Sequence, residues 1–588
     1  RQILHQITLR DFDGYWHLLR VNDLHNFGNT YHTTLSRSNA PYGESIHWTS
    51  AFDLLLYAGA YIGSFFVDFN VALLWWAIII NPFLHVLTFL VLFWGIRDLI
   101  GDLRASIFGV IFPFQLCLFG VFDMGVPDHH GAQLFLFSCV MAFVVKSIMS
   151  QNWKIFSIGG IIGGISIWFG IESITFVLVA ISFFGLLWVL DGKKYNCNNF
   201  LFSLMLLLTT FFTLYVDTMS GRLMNIAYDR LSIAHVCLFL IITSFWALVA
   251  FVSKWTNLLE NINGRIIAAI IGILACFLLM HDLFPLFFKD PLSDVNPDIK
   301  LIYLNQTGEF TGLFSVSHLN IDYAFWAMTL PAIPIGIFLF IRKHEKEKQA
   351  WAFITLINII YIFLPALVFR MVIYAILFSL IPISYAISHF YIIIHNKVSH
   401  SYYRIARTAF ILLCCCSFLT PALLFNSKQP DFLISDKKFL TQICQYLNNN
   451  PYFEQNPRRI LTSLYMGPLL LYKTRHEVIG TPSHRNVSGI LDTYYVMNAQ
   501  NEHDAHMIIH RRGIQVLLIG RPEYGIGDFF VEKTRNTKAS GEIFHHQLWK
   551  GKVPAWLQSY PVPKSFEGKI KIFRAVSYTH LRAHETRE

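Results

Sequence analysis

Twelve apolar stretches run along this chain, separated by short polar loops. They lie near residues 71–94, 105–122, 131–149, 155–171, 173–190, 199–216, 233–252, 266–288, 323–341, 349–368, 371–394 and 406–425. Each is about 17–24 residues, enough for a helix to cross roughly 30 Å of hydrocarbon. Two regions depart from this pattern. FDLLLYAGAYIGSFF at 52–66 is apolar but short for a span, which predicts a helix lying in the interface or packed on the bundle. Residues 426–575 mix Pro, Asn and charge with strand-like runs such as HEVIGT, IQVLLIG and KIKIF, and predict a compact α/β domain with one core. The expected architecture is an all-α polytopic membrane bundle of twelve spans with a C-terminal soluble α/β domain. Its predicted limits are 1–70 for an outer-face loop with interfacial helices, 71–425 for the bundle with a long outer loop at 289–322, and 426–575 for the extracytoplasmic domain.

Charge placement orients the bundle. Arg97 and Arg104, Lys154, Lys193 and Lys194, Lys254 and Arg265, Arg342 with Lys343, Lys346 and Lys348, and Lys397 with Arg404 and Arg407 fall in alternate loops. The positive-inside rule assigns those loops to the cytoplasm. The first loop, the VPDHHG loop, the 289–322 loop and the C-terminal domain then share the outer face. Polar loops and a soluble domain converging on one side suit an active site better than a pore, which needs polar residues along its full depth.

Composition agrees: 54% of residues are apolar, 16% aromatic and 14% charged. The formal charge of +9 is spread over the inner loops and the C-terminal domain; it suits anionic lipid and carries no nucleic-acid signal. Most of the nine cysteines lie inside spans, and Cys197 and Cys444 fall on opposite faces, so no disulfide framework is implied. The chain opens on Arg1 within an outer loop, which predicts a further span upstream. VSYTHLRAHETRE at 576–588 breaks from KIKIFRA and reads as a non-native tail outside the fold.

Acids and histidines collect in the outer loops: Asp11 and Asp13 in DFDGYW, and Asp128, His129 and His130 in VPDHHG. A hard divalent cation takes oxygen ligands, and an added imidazole moves the preference toward Mn or similar ions. Asp13, Asp128 and His130 form such a partial shell. Asp128 equally suits the cap of the helix that follows, and Asp11 and Asp13 suit solvated loop acids. Glu172 in WFGIESI stands at the outer edge between two spans, where it caps a helix or helps the site. His484, Arg485 and Asn486 fall on one polar loop of the C-terminal domain, suited either to binding a sugar or phosphate or to stabilising a Pro-Ser turn.

The order DFDGYWHLLRVNDL, YGESIHWTSAFDLLLYA, one hairpin of spans and FDMGVPDHHGAQLF resembles the catalytic subunit of oligosaccharyltransferase, a GT-C enzyme of thirteen spans. The resemblance implies that Asp13 matches the first metal-binding acid, and that Asp128 and His130 match the D-x-[DEH] motif. TGLFSVSHLN at 311–320 resembles the family's Ser-Val-Ser-Glu signature, with His318 in place of the Glu. Arg370 in FLPALVFRMVIYA sits where the family holds the donor's phosphates, a task that suits a planar guanidinium; a snorkelling interfacial Arg is the other reading. One departure concerns the acceptor: TSLYMGPLLLY at 462–472 stands where protein-glycosylating members carry WWDYG, with Met466 at the Asp position.

The resemblance implies a membrane glycosyltransferase that moves a sugar or oligosaccharide from a polyprenyl phosphate or diphosphate with inversion. Asp13 and Asp128 are its expected catalytic acids. Asp13, Asp128, His130 and His318 are the expected ligands of a divalent metal, Mn or Mg, and Arg370 the expected phosphate-binding residue. His484, Arg485 and Asn486 are candidates for acceptor or sugar binding, with Asp11, His129 and Glu172 in second rank. The expected partners are a lipid-linked sugar donor, membrane lipids and an acceptor protein or glycolipid, without nucleic acid. The expected location is a bacterial inner membrane with the active site on the periplasmic face. A non-catalytic lipid- or glycan-binding relative and a polytopic transporter are the competing classes; the internal repeats of a transporter are not visible.

Overall fold

The computed structural model describes residues 8–27, 34–218, 223–289, 295–304, 312–314, 320–397, 402–424, 432–521 and 543–576. The N-terminal segment holds helix α1 (Asp13–Phe27), a ribbon of β1 (Thr34–Leu35) and β2 (Glu44–Ser45), and helix α2 (Ala51–Gly63). At about 1.5 Å per residue α2 is too short to span a bilayer. It buries Phe52, Asp53, Leu56 and Ala60 and packs on α3 (Phe69–Ile100), whose Trp76 Nε1 donates to the Leu55 carbonyl at 3.2 Å.

The bundle continues through α4 (Asp102–Ile111), α5 (Leu116–Phe122), α6 (His129–Ser150), α7 (Trp153–Phe169), α8 (Ile174–Asp191), α9 (Asn196–Asp217), α10 (Ile233–Trp255) and α11 (Ile262–Leu283). After α12 (Pro297–Ile302) in the outer loop come α13 (Asn320–Ala327), α14 (Ala332–Arg342), α15 (Glu345–Phe363), α16 (Val372–Lys397) and α17 (Tyr403–Leu424). Among the described residues, eight helical segments are long and apolar enough to cross a membrane, or nine if a bent pair counts as one span. The chain is an integral membrane protein.

All twelve predicted stretches fall on helices, and five of them account for the lower number. The stretch 105–122 is α4 and α5, bent by 68° across the turn Phe112–Phe114, where Pro113 has no N–H to continue the helix. The stretch 155–171 is α7, only 17 residues long. The stretches 173–190 and 199–216 are α8 and α9, contiguous in one 47-residue segment. A straight helix of that length runs about 70 Å, more than twice the hydrocarbon thickness. The turn Gly192–Tyr195 divides it, with Gly192 at φ 72°. The stretch 406–425 coincides with α17.

The C-terminal domain carries α18 (Phe432–Asn449), α19 (Pro451–Gln455), α20 (Met466–Lys473), α21 (Val487–Asn498), α22 (Glu502–Arg512) and α23 (Phe544–Trp549). Its sheet is formed by β3 (Arg459–Leu461), β4 (Glu477–Val478), β5 (Val516–Gly520), β6 (Leu557–Tyr560) and β7 (Ile570–Ala575) in the order β4-β3-β5-β7-β6. The β3 strand is parallel to β4 and β5, while β7 is antiparallel to β5 and β6. All five residues of β5 are buried, as its unbroken apolar run requires of a central strand.

The N-terminal segment is docked on this domain. Arg512, fully buried, pairs with Asp492 through Nε at 2.5 Å and donates to Asn39 Oδ1 at 3.0 Å and the Ala40 carbonyl at 2.9 Å. Arg37 donates to the carbonyls of Leu471, Thr474 and His476, and backbone bonds join Arg37 to Val478 and Val478 to Ala40. Removing one partner of a buried ion pair leaves the other charge uncompensated, at a cost of about 3–5 kcal/mol. Arg512→Ala should therefore destabilise the detergent-solubilised chain by that order, read as a lower thermal unfolding midpoint. The apolar double replacement Arg512→Met with Asp492→Leu loses less.

Candidate active site

The VPDHHG loop is anchored from inside the bundle by two adjacent residues of α3. Pro82 has no N–H for the Ile78 carbonyl one turn back, and that carbonyl accepts instead from Gly125 N at 3.0 Å. Asn81, 1% exposed, donates its side-chain amide toward the carbonyls of Val121 at 3.1 Å, Val126 at 2.5 Å and Asp128 at 3.3 Å. Gly131 admits the amide, since a Cβ there would stand 2.6 Å from Asn81 Oδ1. The first loop is brought up against this platform: Arg10 N donates to the Gly125 carbonyl at 2.7 Å, and Arg10 pairs with Asp123. At Gly14 a Cβ would lie 2.6 Å from Pro127 Cγ, so the DFDG and VPDHHG motifs meet backbone to ring.

Asp11 accepts from Gly14 N at 3.2 Å and caps the start of α1, while Asp13 opens its first turn. Asp128 holds the N-cap position of α6 in extended backbone, yet its side chain makes no cap bond. Its Oδ1 stands 2.7 Å from His129 Nδ1 and its Oδ2 3.7 Å from His130 Nε2. Burial works to raise the Asp128 carboxyl, but the neighbouring His130, His129 and His17 outweigh it and hold the group well below the usual carboxylate range. His130 Nδ1 meets Gln133 Oε1 at 3.0 Å; Gln133 Nε2 donates to Glu172 Oε2 at 3.1 Å, and Glu172 Oε1 accepts from Arg370 at 2.6 Å. Asp128, His130, Gln133, Glu172 and Arg370 thus form one polar chain.

Other carboxylates around this chain have guanidinium partners: Asp53 pairs with Arg20 at 2.8 Å, Glu172 with Arg370, and Asp229 with Arg485 at 2.5 Å. Among the described residues the charge partners of Asp128 are imidazoles alone. Together with His17 and His129 it forms a group whose ligand atoms lie within 4.8 Å of one another. Ligands about 2.0–2.2 Å from a tetrahedral cation stand roughly 3.4 Å apart, so modest side-chain shifts would close the set. One carboxylate with two imidazoles fits a divalent cation with nitrogen affinity.

A loop of the C-terminal domain, 484–486, meets Asp229 and His47. Asp229 accepts from His484 Nε2 at 2.9 Å and from Arg485 Nε at 2.8 Å; burial alone would raise its carboxyl, but these bonds hold it far below the usual range. His47 meets the rings of Trp48 and His484, at 3.9 and 4.3 Å, and burial followed by repulsion from His484 lowers it well below the usual imidazole range. Asn486 is fully buried, its side chain spent on capping α21 and on Ile479 and Thr481. The structure therefore joins Asp128, His129, His130, Glu172 and Arg370, sets the backbone beside Asp13 against Pro127, and places His484 and Arg485 against His47 and Asp229. His318 lies outside the described residues.

Sequence reasoning passed over His17, Asp53, Asn81, Asp229 and His47. The Asn-Pro pair in the middle of a span was the signal for the loop anchor, because a polar group there needs a partner. Asp53 lies in the quoted SAFDLLLYA, while Asp229 carries no local pattern at all.

No protein-family model and no curated protein matches the sequence. Solved structures do match. Archaeal oligosaccharyltransferase AglB from Archaeoglobus fulgidus, in complex with an inhibitory peptide and a dolichol-phosphate, superimposes with a TM-score of 0.67 at 13% identity, over 88% of this chain and 66% of that one. The Archaeoglobus fulgidus enzyme tethered to an acceptor peptide containing the NVT sequon gives 0.65 at 14% identity, over 88% and 65%. Its complex with Zn and sulfate gives 0.63 at 14%, over 88% and 64%. The chain spans about two thirds of the length of these structures and shares their GT-C fold.

Glu44 adds a pH-sensitive contact between the outer segment and the domain. It is 1% exposed and accepts from Ser38 Oγ at 2.5 Å and Thr481 Oγ1 at 2.6 Å. Burial raises its carboxyl more than these hydroxyls lower it. A raised folded value contributes stability that is complete below the unfolded value and is lost as pH rises through the folded one. Between about pH 5 and 8 the wild-type unfolding midpoint should fall relative to that of Glu44→Gln. A constant difference across that range would contradict the assignment.

Proposed function

We propose that this chain is a metal-dependent GT-C glycosyltransferase that moves a sugar or oligosaccharide from a polyprenyl phosphate or diphosphate to an acceptor on the outer face. The observation that carries the reading is the joining of two loop motifs at Gly14 and Pro127, next to the polar chain that ends at Arg370. Asp13, Asp128 and His130 are the proposed metal-binding side chains, and His318 would extend the set. The bound cation, Mn or Mg, would supply Lewis-acid neutralisation of the charge that develops on the leaving phosphate.

The chain's own groups do the remaining work. Arg370, exchanging Glu172 for the donor, holds phosphate oxygens with its planar fork. The bond between the anomeric carbon and the phosphate oxygen breaks, and the phosphate leaves with the electron pair. An acceptor nucleophile forms the new bond from the opposite face, giving inversion. Asp13 orients this nucleophile and takes its proton. His484 and Arg485, paired with Asp229, form the acceptor-side wall. The dolichol-phosphate, the sequon peptide and the Zn and sulfate held by the archaeal structures support a lipid phosphate donor, a peptide-like acceptor and a metal-dependent site.

The reading is tested in the host. Disrupting the full-length gene should cause an untransferred lipid-linked sugar to accumulate, measured by mass spectrometry of the lipid extract, and the wild-type gene should clear it. Asp13→Ala, Asp128→Ala and Arg370→Ala should each slow transfer by roughly 10²–10³-fold or more, the scale of losing one electrostatic contact to a developing charge. Normal transfer by folded Asp128→Ala would overturn the proposed site.

A further inference from the structure

We infer that His17 is a ligand of the divalent cation, binding through Nε2, with Asp53 and Arg20 as the groups that position it. The inference rests on the metal-dependent reading above and adds a residue outside the loop motifs.

His17 follows Asp13 by four residues in α1, so the two side chains project from the same face one turn apart. The ring is 1% exposed. Its Nδ1 lies 2.7 Å from Asp53 Oδ1, and Arg20 pairs with the other Asp53 oxygen at 2.8 Å. The paired carboxylate accepts the Nδ1 proton, which leaves the lone pair on Nε2. Nε2 is buried without a hydrogen-bond partner among the described residues, and His17 belongs to the group that also contains Asp128 and His129. Phe52 meets the imidazole edge-on at 4.9 Å and Trp48 lies at 5.7 Å, fixing the ring plane. A core histidine satisfied by packing alone would not need a charged pair to set its tautomer. A carboxylate on the far nitrogen is the common support of a metal-bound imidazole.

The consequence is selectivity. A shell containing His17 beside Asp128 and a second imidazole prefers Mn, Co or Zn to Mg, because nitrogen ligands favour the later ions.

The test is Mn(II) binding to the full-length protein in detergent, read by EPR titration, with pulsed EPR counting coupled imidazole nitrogens. His17→Gln should weaken Mn binding by roughly 10–100-fold and remove one nitrogen coupling, while Asp53→Asn should weaken binding by about tenfold and keep that coupling. Wild-type affinity and coupling in His17→Gln, with binding abolished in Asp128→Asn, would overturn the His17 assignment and leave the metal reading standing. Wild-type binding in Asp128→Asn would overturn the metal reading, and the inference with it. If His17→Gln does not fold, Asp53→Asn decides: unchanged affinity overturns the inference.

Discussion

The candidate site depends on how α3 satisfies the backbone of the VPDHHG loop. Carbonyl and amide groups at the edge of a membrane bundle are costly when unpaired, and irregular backbone persists there only where protein groups meet it. Asn81 supplies an amide to three loop carbonyls, and Pro82 leaves the Ile78 carbonyl free for Gly125. These bonds set the height of Asp128 and the start of α6. Once the loop is fixed, Pro127 gives Gly14 a surface to meet, and the backbone of the first loop is set against the second. A change at either α3 residue would act on the site without touching it.

Charge compensation then distinguishes Asp128 from its neighbours. A carboxylate partly removed from water needs a partner, and Arg20, Arg370, Arg485 and Arg512 provide permanent ones for Asp53, Glu172, Asp229 and Asp492. Asp128 faces imidazoles, which can be neutral, so its compensation is the part of the arrangement open to an exogenous cation. The same logic gives Arg370 a double role. Its pairing with Glu172 compensates the guanidinium and keeps it oriented, and under the proposed function a phosphate would replace one anion by another.

Much of the fold was legible because membrane insertion is written in local composition. Each apolar stretch found a helix, and HEVIGT, IQVLLIG and KIKIF found β4, β5 and β7. The breaks inside α4–α5 and between α8 and α9 show where the reading was coarse, since hydropathy reports length and not bending. At the site, the meeting of the DFD and DHH loops was readable from order and sidedness. Whether Asp128 is a cap or a ligand was not, because that depends on side-chain direction, and its extended backbone with no cap bond was visible only in three dimensions. His17 with Asp53, and Asp229 with Arg485, join positions far apart in sequence, so no spacing could reveal them.

Under the proposed function, the acceptor half would follow a different physical logic from the donor half. Met466 opens α20 with 1% exposure, and Tyr465 beside it packs at a tilt against Phe12 of the first loop, ring centroids 6.1 Å apart. A thioether is a weak acceptor, so a buried Met at this position cannot hold a hydroxyl as a carboxylate would. The contact instead joins the C-terminal domain to the loop that carries Asp13 through apolar surface. Polar groups of the domain reach the site from the other edge, where His484 and Arg485 meet Asp229. Under the proposed function, discrimination among acceptors therefore shifts from a hydrogen-bonding surface at 462–467 toward the imidazole and guanidinium groups of that edge, which favour an acceptor bearing negative charge or several hydroxyls.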